Sequence, residues 1–130
     1  MVTEADVRRL ALSLPSVTER PSYGSPGFRV ADRLFARIRP EGDSVVLWCA
    51  DVGEKEALIA SEPEKFSTTP HYDGHPTVLV TMASVGREEM AELLADSWRL
   101  RAPVRLLRAF DQGNGPPRGA RAREGRPGRG

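Results

Sequence analysis

Long apolar runs are missing from this sequence. No stretch approaches the ~20 residues needed to cross a bilayer, which excludes a helical membrane span. Cysteine is nearly missing as well. Cys49 stands alone, so no internal disulfide can form, and with only two histidines no Cys/His set has zinc spacing. No metal and no cofactor are therefore expected. Cys49 lies in the apolar run Ser44–Ala50, where a small buried hydrophobe in a strand is its ordinary role. Lysine is scarce too: Lys55 and Lys65 stand against 17 arginines, a bias that a GC-rich genome produces without a functional cause. The opening residues carry two acids and no basic region ahead of their apolar positions. They read as an amphipathic helix, not a signal peptide, and a cytoplasmic location is expected.

What is present is one domain's worth of chain, 130 residues with 39% apolar content, enough for one modest core. Charge is unevenly placed. The segment Gly113–Gly130 holds five arginines and one acid, a net +4 within a chain of +1, which leaves −3 on the other 112 residues. A weakly acidic body argues against a broad non-specific nucleic-acid footprint on the folded part. The domain is expected over residues 1–112. Residues 113–130 are almost all Gly, Pro, Arg and Ala, cannot bury a core, and are expected to form a disordered tail.

Thr3 with Asp6 makes a capping-box-like start for a helix carrying Val7, Leu10, Ala11 and Leu14 on one face, stopped by Pro15. Residues 16–26 are turn-rich. Three short strands are expected near Phe28–Val30, Leu34–Arg39 and Ser44–Ala50, joined as an antiparallel meander. Asp51 caps a helix near Gly53–Ser61. Strands near Phe66–Tyr72 and Thr77–Met82 follow, then a helix over about Arg87–Leu100, with Leu106, Leu107 and Phe110 adding a short docking turn. The order predicts a two-layer α+β domain, one antiparallel sheet covered by helices on one face.

Leu14-Pro15-Ser16-Val17-Thr18-Glu19 followed by Pro21-Ser22-Tyr23-Gly24, then Phe28-Arg29-Val30 and Leu34-Phe35-Ala36-Arg37, form a recognisable series. Thr69-Pro70-His71-Tyr72 ahead of a Val-Leu-Val strand, and Asp96-Ser97-Trp98-Arg99-Leu100, extend it. In this order the residues are similar to the MmcQ/YjbR family over about residues 3–107. The resemblance implies an α-β3-α-β2-α fold, related in shape to secretion chaperones and called a double-wing motif, with a DNA-binding role. Two positions depart from the family pattern: Thr77 stands where a tryptophan is common, and Trp48 where a lysine is common.

Four groups of residues are candidates for function. Strand alternation puts Arg29, Arg37, Arg39 and Trp48 on the outer face of the sheet, with Leu34, Ala36 and Ile38 facing the core. Arginine beside an aromatic on an open sheet suits nucleic acid, since bases stack on rings and guanidinium pairs with phosphate. The bland alternative is a solvated face with arginine stems lying over Trp48. Phe35 shares the outward parity, unless the strand bulges and returns it to the core. His71, Tyr72 and His75 sit in a turn segment where His and Asp are common for local hydrogen bonding, and where a contact to ligand or DNA is the functional reading. Glu19, Arg20, Ser22, Tyr23 and Ser25 form a polar loop without a nucleophile motif. Arg99, Arg101, Arg105 and Arg108 follow the last long helix, where cations suit the helix dipole. Arg118, Arg121 and Arg123 belong to the tail and resemble arginine–glycine segments that bind nucleic acid.

No nucleophile–base–acid set assembles from these residues, so a non-enzymatic domain is expected. DNA is the expected partner, and a small-ligand or protein-interaction module is the alternative. A monomer or weak homodimer is expected.

Overall fold

The computed structural model of the chain describes residues 1–112. Helix α1 spans Glu4–Leu12. It starts on the expected capping box: the Thr3 hydroxyl accepts from the Asp6 N–H, and the Asp6 carboxylate accepts from the Thr3 N–H. Strands β1 (Val17–Ser22), β2 (Ser25–Val30), β3 (Arg33–Ile38) and β4 (Ser44–Trp48) follow. Helix α2 (Val52–Ser61) is capped by Asp51, with Glu54 reaching back to the Ala50 N–H. Next come β5 (Phe66–Ser67), β6 (Thr77–Thr81), α3 (Arg87–Arg101) and α4 (Val104–Gln112).

The two-layer α+β architecture is the expected one. Six antiparallel strands form a single open sheet in the order β1-β2-β3-β4-β6-β5, and α3 packs across β3 and β4 with α1 beside it. Trp98, Phe28, Phe35, Phe66 and Ile38 are fully buried between the layers. The Trp98 indole N–H donates to the Pro15 carbonyl and ties α3 to the end of α1.

Four local expectations are corrected. The segment 16–26 is no loop: β1 and β2 form a hairpin whose two turn residues, Tyr23 (φ 53°) and Gly24 (φ 81°), both lie in the left-handed region that a two-residue type I′ turn requires. A tyrosine is an unusual occupant of the first position, which hid the turn. The strand expected over Phe66–Tyr72 ends at Ser67, because Thr69–Tyr72 turns out of the sheet. The docking turn near Leu106 is a full helix that buries Phe110 against Trp98. Lastly, β3 bulges. Phe28 pairs with Ala36 but Arg29 pairs with Leu34, so Phe35 is an extra residue. It turns into the core and is fully buried, while half-buried Leu34 moves to the outer face.

Candidate functional site

The bulge leaves one backbone N–H and one C=O facing each other across β3 and β4, and a side chain fills the gap. Ser97 of α3, fully buried, accepts from the Trp48 N–H at 3.0 Å and donates to the Phe35 carbonyl at 2.5 Å. This contact fixes the end of β4 that carries Trp48.

On the face away from the helices, register places Ser67, Leu79, Val46, Arg37 and Gly27 in one row across five strands. Thr77 and Trp48 make the next row, roughly 7 Å along the strands. Val46 and Leu79 are each 2% exposed although they stand outside the main core. The turn after β5 reaches into this row. Chain leaving Ser67 forms the Thr69–Tyr72 turn, and the Tyr72 hydroxyl accepts from Arg37 Nη1 at 2.9 Å. That bond links the chain beyond β5, at one end of the row, to Arg37 three strands away. Buried Lys55 of α2 anchors the turn from beneath, donating to the carbonyls of Tyr72 and His75.

Arg37 is held on its other side as well. Its Nε donates to the Ser22 carbonyl and to Ser25 Oγ, and the Ser25 hydroxyl donates to Ser22. Gly27 lets this happen. A Cβ there would stand 2.9 Å from the Arg20 carbonyl and 3.1 Å from both Leu34 and Ser22. The Tyr23 ring, 94% exposed, lies with its centroid 5.7 Å from the Arg37 guanidinium.

Tyr72 and His71 divide the face into two adjoining hollows of about 400 Å³ each. One is lined by Tyr23, Arg37, Arg39, Glu41 and Thr69. The other is lined by Trp48, His75, Pro76 and Thr77. The Arg101 guanidinium lies over the Trp48 ring at 4.7 Å and donates to the Leu34 carbonyl. Burial, with Arg33 nearby, lowers the Arg101 pKa. Thr77 is 6% exposed, and its hydroxyl has no hydrogen-bond partner among the described residues.

Three groups that the sequence kept apart thus meet: the outer-face set Arg37, Arg39 and Trp48, the turn residues His71, Tyr72 and His75, and the loop residues Ser22, Tyr23 and Ser25. Arg39 pairs with Glu41 at 3.4 Å. Arg29 stands further along the same face opposite Thr18, half-buried, its Nε without a hydrogen-bond partner among the described residues. Arg99 lies away from the cleft, paired to Asp111 of α4 and stacked on Phe110. Arg101 serves Trp48 instead of joining a basic patch, and Arg105 is exposed on α4. Arg118, Arg121 and Arg123 lie outside the described residues. Neither Thr77, which the sequence marks only as a departure from the family pattern, nor Lys55 was expected at the site. Lys55 between Glu54 and Glu56 reads as one charge of a solvated helix face, and the hydroxyl of Thr77 stands out only once its row is known. Among the described residues no helix is long and apolar enough to cross a membrane, and no group of three His, Cys, Asp or Glu residues is placed to hold a metal ion.

The YjbR family model matches residues 12–100. The chain is 35% identical over 127 residues to uncharacterized proteins Rv2570 of Mycobacterium tuberculosis and Mb2600 of Mycobacterium bovis, a match covering 85% of this chain and 96% of each relative. The crystal structure of Deinococcus radiodurans protein DR2400, with the family-model domain DUF419, superimposes with a TM-score of 0.63 at 22% identity, covering 96% of this chain and 88% of that one. At that identity the likeness is one of fold.

Proposed function

The chain belongs to the YjbR family, and from that membership and its outer-face cleft we propose that it is a non-catalytic recognition module for a small ligand. The observation that carries this reading is how the arginines are spent. Arg37 is held by Ser22, Ser25 and Tyr72, Arg39 by Glu41, Arg99 by Asp111, and Arg101 lies on Trp48. Side chains so committed shape a pocket. They do not form the row of available cations that tracks a DNA backbone, and residues 1–112 carry −3 overall. Concave walls with few convergent polar groups are the usual form of a small-molecule site. Catalysis has little support: the serine hydroxyl beside Arg37, on Ser25, is fixed between a cation and a carbonyl, with no base among its hydrogen-bond partners.

A DNA role is the second reading, favoured by the exposed Tyr23 at a hairpin tip and by the arginines of residues 113–130. Amide NMR shift mapping with a panel of small anionic aromatic compounds, beside duplex DNA titrated at two salt concentrations, separates the two. Shifts at Arg37, Trp48, Tyr72 and Thr77 with small molecules are expected. The small-ligand reading fails if none of them moves the cleft while a truncation ending at Gln112 binds duplex with a steep salt dependence.

A further inference from the structure

We propose that the two hollows act as one bipartite site for a nucleoside monophosphate, with the base in the Trp48–Thr77 hollow and the phosphate in the Arg37–Arg39 hollow. This rests on the small-ligand reading above and names its ligand class. Trp48 supplies a ring for stacking, and its position is set twice, by Ser97 on its backbone and by Arg101 across its ring. Directly opposite, Thr77 lines the same hollow, and its buried hydroxyl has no partner among the described residues. A buried hydroxyl without a partner is a standing cost to the fold, and a heteroaromatic edge carrying donors and acceptors would satisfy it. One row along the strands, on β3, stands Arg37, with Arg39 a further row on and exposed His71 lining the same hollow. Glu41 shares that hollow and is paired to Arg39, so an incoming phosphate would compete with Glu41 for Arg39 and meet Arg37 at Nη2, which its bonds through Nε and Nη1 do not use. One row separates the ring site from Arg37, the span of a sugar, and Tyr72, which lines both hollows, is placed to contact it.

The test uses the full chain and AMP, with adenosine, inorganic phosphate, phenylacetate and a short single-stranded oligodeoxynucleotide as comparison probes. AMP is expected to shift the Trp48 indole N–H together with the Thr77 and Arg37 amides, and to bind at least fivefold more tightly than adenosine or phosphate. Thr77→Val keeps the shape and removes only the hydroxyl. It is expected to weaken AMP binding at least fivefold without lowering the melting temperature, a pairing that a purely structural threonine would not give. Equal AMP affinity in Thr77→Val and the parent overturns the proposal. So does tighter binding of the oligonucleotide per nucleotide, which would move the site to the DNA reading. If phenylacetate moves the cleft and AMP does not, the nucleotide assignment falls while the small-ligand reading stands. If no small probe moves the cleft, both fall.

Discussion

The Tyr72 hydroxyl and the Arg37 guanidinium meet at 2.9 Å, joining a turn that leaves one end of the sheet to a strand two positions beyond β6. Tyr72→Phe removes that bond and keeps the ring. A loss of about 1 kcal/mol is expected in denaturant unfolding. Hydrogen exchange should rise in residues 69–75 and stay unchanged in α3.

Ser97 is expected to be far more sensitive than its surroundings suggest. Ser97→Ala leaves the Trp48 N–H and the Phe35 carbonyl, both directed at the missing hydroxyl, without it. A destabilisation of about 2 kcal/mol or more is expected. Ser97→Thr, which retains the hydroxyl, should recover part of it. The two variants are compared by chemical denaturation.

Tyr23 occupies a left-handed position beside Gly24. Tyr23→Asn creates the favoured Asn-Gly pair for this turn and removes an exposed ring, so a gain of about 0.5–1 kcal/mol in stability is expected. If the tyrosine is kept for recognition, the same variant binds ligand or DNA less well. Thermal melting and titration on one preparation read both effects.

Asp6 gives the fold a pH dependence of known sign. Its carboxyl pKa is lowered below the ordinary 3.8, chiefly by the Thr3 N–H, with Arg87 and Arg9 adding attraction. The folded carboxylate is thus favoured, and its contribution is full above the unfolded pKa and lost as pH falls through the folded one. Asp6→Asn should therefore melt below the parent near neutral pH, and the gap should narrow progressively as pH falls below the ordinary carboxyl value of 3.8. Melting curves across that range check it.

Much of the fold was legible in the chain. The capping pairs Thr3–Asp6 and Asp51–Glu54 mark two helix starts, alternation in Ser44–Trp48 sorts Val45 and Leu47 from Val46 and Trp48, and the apolar face of Arg87–Arg101 marks α3. The β1–β2 hairpin was not, since Pro21, Tyr23, Gly24 and Pro26 together read as a loop and only tertiary pairing makes them a strand pair. Strict alternation also mis-set Leu34, because one inserted residue at Phe35 reverses the parity of everything before it. The cleft was visible in pieces. Arg37, Trp48, His71 and Tyr72 each stood out, but their meeting depends on β6 lying between β4 and β5, and no local pattern encodes that order.

The strand order also bears on self-association. One border of the sheet is β1, whose Thr18, Glu19, Arg20 and Pro21 are all exposed; the other is β5, two residues long. Charged side chains of both signs and a residue with no N–H make the first a poor template for an incoming strand, and the second is too short to offer one. The sheet is in effect sealed at both margins against growth by main-chain pairing. Any stable contact with another polypeptide is therefore directed to side-chain surfaces, and a raised local concentration of this protein is not expected to extend its sheet into fibres.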